Sequence, residues 1–221
     1  MSLSRGPKIV TNGLVLYLDA GNILSYPGSG TTWTDISRNG NNGTLTNGPT
    51  FNSANGGVIV YDGVDDVVTC NLVSSTANNV TAEVWFKATT LPGDKGLYYN
   101  GNGGSSGYGF QFGACGATAT TLYVFFGGVS CNVVSYGGLV TNTWYQAVYT
   151  RTTSPSTSNL LYINGVSVSS NTTTNPNTPA GNTLVGSGYN GNISIVRHYN
   201  RTLTSTEILQ NYNANKIRFG L

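Results

Sequence analysis

Leu160-Leu-Tyr-Ile-Asn-Gly-Val-Ser-Val168 decides the fold class. Asn-Gly is the pair that a two-residue β-hairpin turn demands, because both central residues need positive φ. On either side stand short runs of β-branched and aromatic residues, which favour a pleated, half-buried surface. The segment therefore reads as strand, tight turn, strand. Working outward, Trp144 to Thr152 supplies a strand before it, and Thr183 to Val185 and Ile193 to Tyr199 supply strands after it. Upstream, the same reading applies to Leu14–Asp19, Val58–Tyr61, Val67–Leu72, Val80–Lys87, Tyr108–Phe112, Thr121–Phe126 and Val129–Tyr136. About twelve strands, with turns every eight to twelve residues, overfill one open sheet and predict two antiparallel sheets packed face to face. The Gly- and Asn-rich stretches Asn39–Asn47, Asn100–Gly107 and Asn171–Asn182 read as loops within one domain.

One helix is expected. Thr204-Ser-Thr-Glu207 has capping-box spacing, and Ile208, Leu209 and Tyr212 form an apolar stripe behind it. Such a helix must cover something, and a sheet edge or an open end of the sandwich is the expected partner.

Composition agrees with an all-β domain. The chain has 221 residues, 30 Gly and 14 Tyr, and charged residues make up only 8% of it, about a third of the usual share. The net charge is +2, and the ten basic residues are scattered from Arg5 to Arg218. No basic run exists to follow a phosphate backbone, so nucleic acid is not an expected partner. No apolar run reaches the roughly 18 residues of a membrane-spanning helix. Met1-Ser-Leu-Ser-Arg-Gly-Pro-Lys8 lacks the hydrophobic core of a secretory signal, so the chain is expected either to stay in the cytosol or to leave by assembly or lysis. Cys70, Cys115 and Cys131 lack metal-ligand spacing, which argues against zinc. Cys70 and Cys115 read as buried free thiols, with a Cys115–Cys131 bridge as the alternative.

These motifs, in this order, resemble the laminin-G-like branch of the concanavalin A-like lectin/glucanase superfamily. The resemblance runs from about Gly13 to Tyr212. It rests on Gly13-Leu-Val-Leu-Tyr-Leu-Asp19, Trp33-Thr-Asp35, Ser37-Arg-Asn-Gly-Asn-Asn-Gly-Thr44 and Val60-Tyr-Asp-Gly-Val-Asp-Asp-Val67. It continues through Thr81-Ala-Glu-Val-Trp-Phe-Lys87, Asn142-Thr-Trp-Tyr-Gln-Ala-Val148, Leu161-Tyr-Ile-Asn-Gly-Val166 and Gly191 to Leu203. It implies a jelly-roll sandwich over residues 13–215, with an arm over 1–12 and a tail over 216–221. The superfamily includes lectins, glycosidases, adhesion modules and structural domains, so fold alone does not give function. Tyr26-Pro-Gly-Ser-Gly-Thr-Thr-Trp33 and the Asn211–Leu221 ending resemble domains of tailed-bacteriophage virion proteins. That narrower resemblance implies a capsid decoration or fibre-associated subunit, whose partners are other virion proteins, host-surface glycans or further copies of itself. Arg5, Lys8, Arg218 and Phe219 are then the expected assembly contacts. A free or cell-surface lectin is the alternative.

Candidate chemistry is sparse. Glycoside hydrolysis needs two carboxylates facing one cleft. Among eight acidic residues, Glu207 belongs to the capping box, and the family resemblance implies a structural role for Glu83, with a buried Arg or Lys as its partner. His198 reads as a half-exposed strand residue. No catalytic residue is therefore expected. Asp62, Asp65 and Asp66 support two readings, a calcium site or a turn that bonds its own backbone. The turn is preferred, so no cofactor is expected. Trp85 and Trp144 read as packed core rather than sugar platforms. Tyr98, Tyr99, Tyr108 and Tyr189 lie among Gly and Asn, and support two readings, the loop aromatics of a carbohydrate site or an inert, soluble, protease-resistant exterior.

Overall fold

The computed structural model describes residues 7–91, 93, 95–113, 120–172 and 174–221. Sixteen strands are present among them. The first eight are β1 (Leu14–Asp19), β2 (Thr32–Trp33), β3 (Gly43–Thr46), β4 (Thr50–Asn52), β5 (Val58–Asp62), β6 (Val67–Cys70), β7 (Val80–Ala88) and β8 (Lys95–Asn102). Then follow β9 (Ser106–Phe112), β10 (Leu122–Phe126), β11 (Ser130–Tyr136), β12 (Trp144–Thr152), β13 (Ser158–Ile163), β14 (Val166–Asn171), β15 (Asn182–Val185) and β16 (Asn190–Tyr199). A helix, α1 (Ser205–Asn215), and a single 3-10 turn (Lys216–Phe219) close the chain.

Two eight-stranded antiparallel sheets result. One, sheet A, runs β14-β13-β12-β7-β16-β5-β4, with β1 also paired to β16. The other, sheet B, runs β11-β10-β9-β8-β15-β6-β3-β2. The predicted hairpin is present: Ile163 pairs with Val166 across Asn164 and Gly165, whose φ values are 51° and 79°. In β16 the register shifts between Ile193 and Ile195. That shift lets one edge of β16 pair first with β5 and then with β1.

Alternation explains what each sheet buries. Along β7, Val80, Ala82, Val84, Phe86 and Ala88 enter the main core between the sheets. The intervening Thr81, Glu83 and Trp85 point the other way and are also buried. Their cover is α1 and the closing turn, which lie over the outer face of sheet A. The helix therefore caps a sheet face, correcting the expected edge or open end. Two satellite clusters form beneath it. Val148, Tyr199 and Ile208 meet Val10 in one, and Trp85, Trp144 and Ile195 meet Phe219 in the other. The capping box is as predicted, with Glu207 N donating to Thr204 Oγ1 and Glu207 Oε2 accepting from Thr204 N.

The domain limits also shift. Val10 N donates to Asn211 Oδ1, and Tyr199 Oη donates to Val10 O, so the chain from about Lys8 is part of the sandwich. At the other end, the Lys216–Phe219 turn is packed into the same unit rather than a separate tail.

Four strands escape the sequence reading. Three, β2, β3 and β4, are two to four residues long. The fourth, β8, was hidden by its glycines and by the apparent Asn100–Gly107 loop. Here the strands crowd each other. A Cβ on Gly101 would lie 2.9 Å from Gly107 Cα, and one on Gly107 would run into the Asn100 carbonyl. Both have positive φ. Glycine marks a close approach within a strand pair, not a loop. Cys70 is free and buried, as expected. Cys131 is disulfide-bonded, and Cys115 lies outside the described residues. No described helix is long and apolar enough to cross a membrane.

Candidate functional site

Two of the four expected loop aromatics lie on strand β8, which the sequence reading missed. Tyr98 and Tyr99 are its neighbours and face opposite ways. Tyr98 points inward, where its hydroxyl meets His198 Nδ1 at 2.7 Å. Tyr108 on β9 also points inward and meets His198 Nε2 at 3.1 Å. Tyr189 is fully buried against Tyr61 and Phe112. These three rings are core, and cannot serve as surface platforms. Their burial also pushes the phenol pKa values well up.

Tyr99 points outward from sheet B, and registry explains its setting. Leu184 of β15 pairs with Tyr99, Tyr99 with Gly109 of β9, and Gly109 with Phe125 of β10. These four positions form one row across the sheet. Because Gly109 has no side chain, the rings on either side close over it, with centroids 4.4 Å apart and planes 25° apart. A Cβ on Gly109 would lie 2.5 Å from Tyr99 Cδ2. The Tyr99 hydroxyl is fixed as well, donating to Ser106 O at 2.9 Å and accepting from Gly127 N at 2.8 Å. A preorganised aromatic floor results, in which Tyr99 is only 5% exposed and the half-buried Phe125 ring supplies the accessible face.

The next row sets Gly96 beside Gln111 and Gln111 beside Tyr123. From these rows Tyr99, Phe125, Leu184, Gln111 and Gly96 line an open cleft of about 180 Å³, completed by Tyr98, Ser187 and Gly103. That volume is below the 300–1,000 Å³ of pockets that swallow a drug-sized ligand, and suits one small ring resting on the floor. Its described lining carries no charged side chain. Phe125, Gln111, Leu184 and Ser187 were not singled out by sequence reasoning. The available signal was Tyr123 and Phe125, aromatic residues at alternate positions of β10, on a face expected to be polar.

The remaining candidates fall elsewhere. Glu83 and Arg197 form a fully buried ion pair at 2.8 Å on the outer face of sheet A. Glu83 is the structural residue that the family resemblance implied. His198 is not half-exposed: it is fully buried between the sheets, and burial lowers its pKa to about 3. Glu207 is bonded to Arg201 first and then to the Thr204 amide, which hold its carboxyl near 2. Trp85 and Trp144 are buried, as expected. Asp62, Asp65 and Asp66 do build the β5–β6 turn, with Val64 N donating to Asp62 Oδ1 and Asp62 N to Asp66 Oδ2.

Of the expected assembly contacts, Arg5 lies outside the described residues and Lys8 is exposed. Arg218 is committed within its own domain, to Asp19 Oδ1 at 2.7 Å and to the Asn55 and Gly57 carbonyls. Phe219 is 5% exposed, packed on Trp85 and Trp144 with centroids 4.6 and 4.5 Å away. Neither is free to hold a neighbour.

Solved structures share this architecture at low identity, which speaks to fold alone. Domain 4 of AbnA, an extracellular arabinanase from Geobacillus stearothermophilus solved with arabinotriose, superposes with a TM-score of 0.68 and 16% identity. That match covers 90% of this chain and 98% of the domain. The botulinum neurotoxin serotype D binding domain gives 0.69 and 14%, over 92% of this chain and 52% of its own. Trypanosoma rangeli sialidase in complex with sialic acid gives 0.66 and 16%, over 93% of this chain. This chain thus spans about a third of the sialidase. No curated protein sequence matches it. The family model described as the concanavalin A-like lectin/glucanases superfamily matches residues 62–209, more than half of the chain. With the two-sheet sandwich in place, the chain belongs to that laminin-G-like family.

Proposed function

We propose that this chain is a non-catalytic carbohydrate-binding domain, and that it binds through the Tyr99–Phe125 cleft on the outer face of sheet B. The observation that carries the reading is the row Leu184–Tyr99–Gly109–Phe125, which holds two rings together above a glycine. Sugar rings offer an apolar C–H face edged by hydroxyls. A flat aromatic floor beside Gln111 and Ser187 matches that division. Catalysis is set aside on the same geometry. Hydrolysis of a glycosidic bond needs a pair of carboxylates about 5–9.5 Å apart, and the described lining carries none. The arabinotriose complex of a domain matched over almost its full length supports the ligand class.

The test is a glycan array followed by calorimetry on the best hit, comparing wild type with Phe125→Ala. Losing a stacking ring is expected to weaken binding about tenfold, equivalent to ~1.4 kcal/mol. An empty array, or full affinity in the variant, would refute the cleft assignment.

The finer setting we propose is a tailed-bacteriophage virion, where the domain serves as a capsid decoration or fibre-associated subunit. The resemblance of Tyr26–Trp33 and Asn211–Leu221 to virion-protein domains supports it. Since Arg218 and Phe219 are used internally, contact with the particle falls to the segment before Lys8. Removing residues 1–7 is expected to abolish incorporation into particles and leave the sandwich folded. Undiminished occupancy on purified particles would sink this setting.

A further inference from the structure

The β5–β6 turn holds more negative charge than its own hydrogen bonds use. One carboxylate oxygen from each of Asp62, Asp65 and Asp66 lies within 4.8 Å of the other two. None of these residues joins an ion pair among the described residues. Building the turn occupies Asp62 Oδ1 and Asp66 Oδ2. Asp66 is only 3% exposed, yet its Oδ1 has no hydrogen-bond partner. A buried acceptor left unpaired is costly, more so when it is charged. Burial first, and then the charges of Asp62 and Asp65, push the Asp66 pKa up against the bond from the Asp62 amide. The Asp65 carboxylate is exposed and makes no hydrogen bond among the described residues.

We infer that Asp62, Asp65 and Asp66 form a calcium site, with Asp66 Oδ1 as its buried ligand. Calcium holds oxygen ligands at about 2.3–2.6 Å, so no two ligands of one ion stand more than about 5.2 Å apart. One carboxylate oxygen from each aspartate already meets that limit. Magnesium demands a near-regular octahedron at about 2.0–2.1 Å, and this turn, fixed by its own hydrogen bonds, has little freedom to supply one. The ion neutralises the cluster and satisfies the orphaned oxygen, while water completes the shell on the exposed side. It also braces two neighbouring turns: Gly188 N donates to Asp66 O, Asn190 Nδ2 to Asp62 O, and Asn47 Nδ2 to Asp65 O. Ser187, beside Gly188, lines the cleft. The site itself does not depend on what the cleft binds.

The test is calorimetric titration of calcium chloride into the EDTA-stripped full chain, with thermal melting in parallel. One ion per chain is expected, with Kd on the order of 10⁻⁴–10⁻³ M or tighter. At calcium about 100-fold above Kd, Tm is expected to rise by about 5 °C or more. Asp65→Asn separates this from a generic charge effect, because it removes no internal hydrogen bond. In EDTA its Tm is expected to equal or exceed that of wild type, since one repulsive charge is gone. Its calcium affinity is expected to fall at least about tenfold. The inference is overturned by an absence of heat and of Tm shift at about 10 mM calcium, by an undiminished shift in Asp65→Asn, or by an equal response to magnesium.

Discussion

Glu83→Gln separates a structural carboxylate from a catalytic one. Glu83 Oε1 accepts from Trp85 Nε1 and Gln146 Nε2 at 2.9 Å and from Arg197 Nη1 at 2.8 Å, while Oε2 accepts from Asn211 Nδ2 at 2.9 Å. Both side chains of the ion pair are fully buried. Burial is the largest single influence and disfavours the Arg197 charge, but Glu83 together with Tyr17 and Tyr199 outweighs it and raises the guanidinium pKa. Glutamine preserves the shape and removes that compensation. It also sets an amide donor where the carboxylate had received only donors. Breaking one side of a buried pair costs about 3–5 kcal/mol. For a domain of this size each kcal/mol is worth about 2–4 °C, so Tm should fall by about 6–20 °C. Urea denaturation at pH 7 measures the free energy, and an unchanged m-value confirms that stability alone has moved. Glycan affinity, measured well below the new Tm, should stay within about twofold, because Glu83 lies under α1 on the opposite sheet from the cleft. A stability loss under about 1 kcal/mol would refute the argument. So would lost ligand processing in a variant as stable as wild type.

Two further expectations follow from buried groups. His198 stays neutral in the folded chain down to about pH 3, whereas an unfolded histidine protonates near 6.5. Below about pH 6.5 the unfolded state therefore binds the extra proton, and stability falls by about 1.4 kcal/mol per unit as pH drops. Denaturation at pH 7 and pH 5 reads this before ordinary carboxylates titrate, and His198→Phe should flatten the slope. Equal wild-type stability at the two pH values would sink the assignment. Phe219→Ala removes a ring packed on Trp85 and Trp144, and should cost the isolated chain about 3 kcal/mol in urea denaturation. An unchanged midpoint, with a defect seen only in assembly, would return Phe219 to the role of intermolecular contact.

Much of the fold was legible because alternation, Asn-Gly and a capping box are local signals. The Leu160–Val168 hairpin and the helix start at Thr204 needed nothing beyond a few neighbouring residues. The cleft was less legible because its decisive residue is Gly109, which looks like any other glycine until its cross-strand partners are known. Tyr98 and Tyr99 show the same limit. Adjacent in sequence and alike in composition, they face opposite sides of β8, one to His198 and the other to Phe125. Sequence reasoning grouped them because it had lost the strand, and with it the parity that separates them. Phe219 was misjudged for a related reason: a terminal aromatic looks available until Trp85 and Trp144 are seen beneath it.

The two sheet faces then argue for a division of labour. The outer face of sheet A carries Glu83, Trp85 and Arg197, residue types that invite a functional reading. It is nevertheless sealed by α1, by Val10 and by Phe219, and its polar atoms are largely spent on one another. Opening it would expose a buried ion pair and two hydrophobic clusters, which is a route to unfolding rather than to binding. On the outer face of sheet B, Tyr99 is 5% exposed beside the half-buried Phe125 ring, and no helix covers them among the described residues. Its strands approach closely at Gly101, Gly107 and Gly109, and Tyr99 is pinned by its own hydrogen bonds, which leaves little there to reorganise on contact. Binding to a preset surface loses less conformational entropy than binding to a mobile one. The glycines that concealed β8 in the sequence are thus the same feature that holds its aromatic row rigid, with Phe125 as the ring open to a ligand.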